Sequence, residues 1–256
     1  SPASKTVALL GSGILGGLLS GVFGIGGGVV MVPLIARVLR YEQRKAAATS
    51  LAAVFPAAVA GTIGYASAGH VAWEAGALLA LGGALGALVG TRLLKLISNR
   101  VQRYIFVVAM VGIGVATLLE IPSRDAAIEI GWTEALVSLA IGLGMGIASG
   151  LLGIGGGVIV IPSMILLLGA SDVMAKGTSL LAMVPTSMVG TISNARSGLV
   201  DLREGLAIGI SAAVASYPGV LLAHLISPQV ATYAYVGLVI LIITVTLLNG
   251  RRARRG

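Results

Sequence analysis

The chain of 256 residues is 57% hydrophobic and only 10% charged, and its mean hydropathy is +1.02. Because about a quarter of the residues in soluble domains are charged, this composition predicts an all-α polytopic membrane protein. The sequence has no cysteine, which excludes disulfides, thiol catalysis and zinc–thiolate sites. The net charge of +8 does not indicate a nucleic-acid partner, because the basic residues fall in short loops and no nucleic-acid-binding motif accompanies them.

Apolar segments alternate with short polar loops along the chain, and two of these segments are longer than the others. The first and fifth have about 35 residues, which as one helix would measure about 52 Å against a hydrocarbon core of ~30 Å. Each carries a glycine triplet near its middle. We therefore expect a broken-helix (re-entrant) hairpin with arms of ~16–18 residues, or two complete short spans with the same parity. The eight segments are 6–40, 46–66, 74–97, 101–119, 133–169, 175–195, 204–227 and 230–249.

The glycine triplets belong to two copies of one pattern, separated by 129 positions. Residues 20–33 read SGVFGIGGGVVMVP and residues 149–162 read SGLLGIGGGVIVIP, with 9 of 14 positions identical. The same offset, without a gap, relates Thr49-Ser50-Leu51 to Thr178-Ser179-Leu180, Pro56 to Pro185, and Gly61-Thr62-Ile63 to Gly190-Thr191-Ile192. Residues 1–128 and 129–256 are therefore interpreted as two repeats, each a hairpin plus three transmembrane helices, that pack as one integrated transmembrane domain.

The distribution of basic residues predicts how the chain crosses the membrane. With the N-terminus inside and each hairpin returning to its own side, only Arg124 and Lys176 of the 17 lysines and arginines fall outside. Each half then crosses an odd number of times, so the two repeats have inverted topology. Inverted repeats are typical of secondary transporters with a substrate site near the midplane. We expect a multi-pass protein of the cytoplasmic (cell) membrane with both termini in the cytoplasm.

The two glycine motifs are the strongest candidates for a binding site. Helices that begin there would direct their N-termini into the membrane from opposite sides. Free backbone N–H groups and the positive end of the helix dipole favour an anion at such a place. Close helix packing is the alternative explanation, but equivalent copies in two inverted halves favour the site. The predicted anion-binding glycines are Gly26, Gly27, Gly28, Gly155, Gly156 and Gly157.

Hydroxyl and amide side chains near the hairpins complete the predicted site. The hydroxyl residues are Thr49, Ser50, Thr178 and Ser179. Their alternative role is a bond to their own helix backbone. Asn194 and Arg196 lie at the predicted cytoplasmic end of 175–195, where Arg196 is either a topology-setting loop residue or a vestibule residue that attracts the anion. No Asp, Glu, Lys or Arg falls in the middle of a segment, which predicts an anion bound by dipoles, hydroxyls and amides rather than by a buried cation.

Other polar and small residues receive structural interpretations. His70 and His224 are interpreted as hydrogen-bonded residues, although a histidine can titrate near physiological pH. The stripe Gly82, Gly86 and Gly90 predicts helix packing, within one chain or between subunits of a homo-oligomer. The sequence shows no paired carboxylates, nucleophile elbow or metal-ligand cluster. We therefore predict neither an enzyme nor a cofactor or metal site.

The motifs quoted above resemble those of the TauE/SafE family of sulfite and organosulfonate exporters. The resemblance covers nearly the whole chain and rests on Gly24-Ile-Gly-Gly-Gly with Pro33, Thr49-Ser-Leu, Gly153-Ile-Gly-Gly-Gly with Pro162, Thr178-Ser-Leu, and Gly198-Leu-Val-Asp201. It implies a secondary carrier in the cytoplasmic membrane that exports a small sulfur-containing anion, such as sulfite or an alkylsulfonate like sulfoacetate. The partners are then this anion and membrane lipid. An anion channel with the same site and no alternating gate is the alternative.

Overall fold

The computed structural model describes residues 2–119 and 131–252. Within these ranges the chain forms ten α-helices, which confirms the all-α class for the described residues. In chain order they are α1 (Pro2–Phe23), α2 (Gly28–Val38), α3 (Gln43–Ser67), α4 (Trp73–Leu96), α5 (Asn99–Leu119), α6 (Trp132–Leu152), α7 (Gly157–Leu168), α8 (Asp172–Ala195), α9 (Leu202–Leu225) and α10 (Pro228–Arg252).

Six of the described helices are long and apolar enough to cross a membrane. They are α1, α3, α4, α6, α9 and α10. Large apolar side chains on their outer faces are exposed, for example Leu85 of α4 at 53% and Val214 of α9 at 74%. Such faces suit contact with lipid tails, which are as apolar as leucine. The chain is therefore a multi-pass membrane protein.

Both long apolar segments are interrupted at the glycine motifs. α1 ends at Phe23 and α2 begins at Gly28, while α6 ends at Leu152 and α7 begins at Gly157. The predicted break is confirmed, but the predicted arms of ~16–18 residues are wrong. The first arms have 22 and 21 residues and the second arms have 11 and 12. The second arms are shorter because each break, 24–27 and 153–156, lies past the middle of its hairpin.

Equivalent helices of the two halves make equivalent contacts. Helices α1 to α5 correspond in order to α6 to α10. α1 packs against α9, and its counterpart α6 packs against α4, the counterpart of α9. In the same way α3 contacts α9 and α8 contacts α4, while α3 also packs against its own counterpart α8. The helices of the two halves are thus interleaved. The boundary expected between residues 128 and 129 lies outside the described residues.

Glycine stripes bring the helices of opposite halves into close contact. Gly82, Gly86 and Gly90 of α4 each stand against a backbone carbonyl of α6, where an added Cβ would overlap the oxygen. This stripe therefore packs within the chain, which is one of its two predicted roles. The glycines of α1 that make the same contact with α9 are Gly13, Gly17 and Gly21.

Candidate functional site

The two glycine motifs pack directly against each other. A Cβ added to Gly28 would overlap the carbonyl oxygen of Gly153, and one added to Gly157 would overlap the carbonyl oxygen of Gly24. The 129-residue repeat relates these two contacts to each other. Every residue in 24–28 and 153–157 is buried. The six predicted glycines therefore lie around one buried junction between the halves, which we call the glycine contact.

The glycine contact lies halfway along two central helices. Gly26 and Gly155 both stand against Val54 of α3 and Met183 of α8. Both of these side chains are fully buried and lie near the midpoints of their helices. The contact therefore lies beside the middle of α3, a helix long and apolar enough to cross a membrane.

The short helices α2 and α7 begin at this contact. Gly27 and Gly156 precede them in the left-handed conformation, with φ of 71° and 88°, which glycine adopts without the Cβ clash of other residues. The first N–H groups of a helix lack intrahelical partners, and in the part of the chain that the structure describes no side chain caps either N-terminus. The positive dipole ends of α2 and α7 therefore converge at the contact.

Ser50 and Ser179 each bind the glycine motif of the opposite half. The hydroxyl of Ser50 donates a hydrogen bond to the carbonyl oxygen of Gly153 at 3.1 Å, and that of Ser179 donates to the carbonyl oxygen of Gly24 at 2.7 Å. Both serines are fully buried. Ser179 Oγ also lies 2.8 Å from the carbonyl oxygen of Lys176 in its own helix, so the alternative of a local backbone bond applies to it in part.

Thr49 and Thr178 bind the ends of other helices. Thr178 Oγ1 accepts a hydrogen bond from the N–H of Ala72 at 2.9 Å, and Thr49 Oγ1 accepts one from the N–H of Asp201 at 3.2 Å. Ala72 and Asp201 are the residues that precede α4 and α9. The two threonines therefore fix the starts of these helices, again in equivalent pairs.

Asn194 and Arg196 lie far from the glycine contact, at the C-terminal end of α8. Asn194 follows Met183 by eleven residues, which corresponds to about 16 Å along a helix. Asn194 is fully buried, and among the described residues neither its Nδ2 nor its Oδ1 has a hydrogen-bond partner. Arg196 is exposed at the C-cap of α8. The structure therefore does not bring these two predicted site residues together with the glycines.

Comparison with known proteins agrees with this arrangement of paired motifs. The family model described as "Sulfite exporter TauE/SafE" matches residues 1–117 and 138–256. The chain belongs to the TauE/SafE family. It is similar to a "Probable membrane transporter protein" of Xylella fastidiosa (strain 9a5c), with 33% identity over 76% of each chain. It is also similar to "Probable membrane transporter protein YunE" of Bacillus subtilis (strain 168), with 27% identity over 79% of this chain and 82% of the relative. These descriptions indicate a membrane transporter and not an enzyme. No solved structure matches the chain significantly.

In this TauE/SafE protein a buried ion pair lies beside the glycine contact. Lys176 Nζ donates to Asp172 Oδ2 at 2.8 Å, and Lys176 is only 3% exposed. Lys176 is predicted on the external side of the membrane, and in the structure its side chain is buried. Helix α8 begins at Asp172, earlier than predicted, because Ser171 caps it by accepting a hydrogen bond from the N–H of Met174 at 3.3 Å. The spacing of four residues between Asp172 and Lys176 is the sequence signal that indicates such a pair.

The ion pair lines a cavity of about 50 Å³. The polar part of the wall is formed by Asp172, Lys176, Thr232 and Tyr235, the last two from α10. The apolar part includes Ile25 and Val158, which lie in or next to the glycine motifs. Gly24 is also close, since an added Cβ there would lie 2.7 Å from the Cα of Lys176. The sequence alone does not reveal that residues of α8 and α10 line the same cavity.

A second, basic cavity of about 400 Å³ lies in the loop between α2 and α3. Its lining residues are Arg40, Tyr41, Glu42, Arg44, Lys45 and Leu199. Lys45 Nζ lies 4.0 Å from the centre of the Tyr41 ring, and the Tyr41 hydroxyl donates to Asp201 Oδ2 at 2.7 Å. Burial, and then the hydrogen bond to Asp201, raise the pKa of Tyr41 above its ordinary value. The lining residues themselves carry three cations and one carboxylate, Glu42, so the net charge of the lining is positive.

The two histidines of the chain contact each other. His70 Nδ1 lies 2.9 Å from His224 Nε2, and His224 Nδ1 lies 2.8 Å from the carbonyl oxygen of Val220. Because that carbonyl requires a proton on His224 Nδ1, the Nε2 of a neutral His224 accepts from His70. The interpretation of both histidines as hydrogen-bonded residues is confirmed. Burial, and then the neighbouring His224, lower the pKa of His70.

Proposed function

We propose that this protein is a secondary transporter that exports a small sulfur-containing anion, such as sulfite or an alkylsulfonate, across the cell membrane. The observation that carries the proposal is the reciprocal packing of Gly28 on Gly153 and of Gly157 on Gly24. It brings the N-termini of α2 and α7 together, where backbone N–H groups and two dipole ends favour an anion. The family description, a sulfite exporter, supports the substrate class.

The proposed topology has two inverted repeats. α1 with α2, and α6 with α7, form two re-entrant hairpins whose tips meet near the midplane. The short second arms support this, because 11 or 12 residues reach only about 17 Å and do not cross a core of ~30 Å. The equivalent helix contacts of the two halves and the excess of basic residues in the predicted internal loops support it as well. Both termini then lie in the cytoplasm.

Transport in this proposal proceeds by alternating access. The two motifs are in contact in the structure, so an anion between them requires the halves to move apart. When one hairpin tip moves away from the other, the site opens to one face of the membrane. The equivalent movement of the other hairpin, in the inverted repeat, opens the site to the opposite face. The bonds from Ser50 and Ser179 to the opposite motif are among the contacts that this movement exchanges.

The basic cavity at Arg40, Arg44 and Lys45 serves as the proposed cytoplasmic entrance. Its positive potential raises the local concentration of anions, which is the role that the sequence left open for Arg196. Arg196 is exposed and follows α8 on the same predicted side of the membrane. It therefore belongs to the entrance in this proposal and does not bind the anion at the midplane.

Reconstitution of the purified chain in liposomes tests the proposal. We expect uptake of labelled sulfite to be accelerated by unlabelled sulfite on the opposite side, which is counterflow and requires a carrier. Single-channel currents carried by the anion, without counterflow, would instead establish the channel alternative. Absence of any sulfite or sulfoacetate flux, with the protein folded, would overturn the transport function.

A matched pair of glycine variants tests the site. Gly28→Ala places a Cβ on the carbonyl oxygen of Gly153, whereas Gly144→Ala in α6 meets nothing within 4 Å. We expect Gly28→Ala and the equivalent Gly157→Ala to reduce sulfite counterflow strongly and Gly144→Ala to leave it unchanged. Equal counterflow in all three variants would contradict a site at the glycine contact.

A further inference from the structure

The buried Asp172–Lys176 pair is a feature that the repeat does not duplicate. The equivalent positions of the first half hold Gln43 and Ala47. Gln43 also begins its helix, as Asp172 does, and the two helices make equivalent contacts. The helix arrangement therefore forms without the ion pair. A buried ion pair is also weak evidence for stability, because desolvation offsets much of its attraction.

The pair lies where a ligand can be bound. Its cavity combines an apolar wall, Ile25 and Val158, with the ammonium of Lys176 and the polar residues Thr232 and Tyr235. A mostly apolar wall with a few polar groups is typical of small-molecule sites. Phe23 and Tyr235 close one side, with ring centres 5.4 Å apart. The same cavity touches Ile25 inside the first glycine motif, so it lies next to the proposed transport site.

We propose that the Lys176 ammonium binds the transported anion, and that the Asp172 carboxylate pairs with this ammonium when no substrate is present. The inference rests on the transport function proposed above and assigns it a cation. Oxygens of a sulfur oxyanion are acceptors like those of the carboxylate, and an ammonium offers three donors. A water needs about 10–15 Å³ of such space, so a cavity of about 50 Å³ holds only a few non-hydrogen atoms. Sulfite, with one sulfur and three oxygens, fits this size.

A ligand-binding role and a purely structural role of this ion pair predict opposite effects of Asp172→Asn on anion affinity. If Asp172 competes with the anion, then Asp172→Asn frees the ammonium and tightens anion binding. If the pair only holds α8 in place, then loss of either partner weakens folding and binding together. The double variant D172Q/K176A gives the second half the residues that the first half carries at the equivalent positions. It removes the cation without leaving a buried unpaired carboxylate.

Calorimetric titration of sodium sulfite into the purified full chain tests the proposal, and melting curves check that each variant is folded. We expect Asp172→Asn to lower the Kd for sulfite about tenfold and D172Q/K176A to raise it about tenfold or more, the effect of one charge-assisted hydrogen bond. Lys95→Gln, which removes one positive charge at an exposed lysine of α4, is the control and leaves the Kd unchanged.

Two results overturn this assignment. The first is sulfite affinity equal to wild type in folded D172Q/K176A. The second is an Asp172→Asn variant that binds sulfite more weakly than wild type, which also decides the question if the double variant does not fold. In both cases counterflow by the wild-type protein still supports transport. Absence of sulfite binding and of counterflow in the wild type would instead remove the proposed function itself.

Discussion

Ser50 donates a hydrogen bond to the carbonyl oxygen of Gly153, although the two residues belong to different halves of the chain. The repeat produces the same bond between Ser179 and Gly24. The pairs Thr178–Ala72 and Thr49–Asp201 are related in the same way. The four duplicated hydroxyl residues therefore each bond a residue of the opposite half. Each half supplies donors for the other, which makes the central junction dependent on both copies.

Loss of either serine hydroxyl should destabilise the protein by a similar amount. Ser50→Ala leaves the buried carbonyl of Gly153 without this donor, and Ser179→Ala does the same for Gly24. We expect a cost of about 1–3 kcal/mol for each variant, since a buried acceptor loses its bond. Apparent melting temperatures in detergent measure it. Ser211→Ala is the control, because among the described residues the Ser211 hydroxyl bonds backbone oxygens of its own helix. A large loss for one central serine and none for the other would contradict the equivalence of the two halves.

We expect a glycine-to-alanine change to destabilise the protein only where the added methyl group meets a neighbouring atom. Gly157→Ala inserts a methyl group against the carbonyl oxygen of Gly24, and overpacking of this kind costs about 1–3 kcal/mol. Gly144→Ala and Gly112→Ala meet nothing within 4 Å, and alanine favours helix over glycine by about 1 kcal/mol. We therefore expect melting temperatures to fall for Gly157→Ala and to rise slightly, or stay equal, for the two controls. A fall in all three variants would contradict the specific overlap.

Much of the junction can be predicted from the sequence, because its determinants are local. Three consecutive glycines in an apolar run break a helix wherever they stand, and the offset of 129 residues identifies the counterpart of each motif. The burial of Lys176 is different, since it depends on the Ser171 cap that starts α8 early and on packing against Gly24. Lys176 and Gly24 are 152 positions apart, and no periodicity in the chain relates them. The burial of the Asn194 amide and the lengths of the hairpin arms are likewise set by tertiary packing.

Asp201 is expected to contribute more to stability than its partner Tyr41. Its Oδ2 accepts from the Tyr41 hydroxyl at 2.7 Å, while its Oδ1 accepts from the N–H of Glu204 at 3.2 Å and caps α9. Tyr41→Phe removes the first bond, at a cost of about 1 kcal/mol, and keeps the aromatic ring under Lys45. Asp201→Ala also removes the cap, which costs about 1 kcal/mol more. Chemical denaturation compares the two variants. Equal losses would show that the α9 cap is not stabilising.

Stability should decrease on mild acidification because of the histidine pair. Burial lowers the pKa of His70, so the unfolded chain binds a proton more readily than the folded chain does. The stabilising effect of a neutral His70 is complete above about pH 6.5 and is lost as the pH falls below that value. We expect the melting temperature to drop between about pH 7 and pH 5, less in His224→Gln and least in His70→Gln. An identical drop in His70→Gln would assign the effect to other groups.

The buried amide of Asn194 is expected to lower the stability of the protein and to contribute to transport. Its amide is fully buried and has no hydrogen-bond partner among the described residues, an arrangement that costs about 1–3 kcal/mol. Asn194→Leu removes this cost at similar volume, so we expect the melting temperature to rise while sulfite counterflow falls, if the amide binds the anion on its way to the cytoplasmic end of α8. Ser138→Ala is the control: the Ser138 hydroxyl is also buried without a partner among the described residues, and its removal should raise stability without a change in counterflow. Unchanged counterflow in a stabilised Asn194→Leu would remove Asn194 from the transport path.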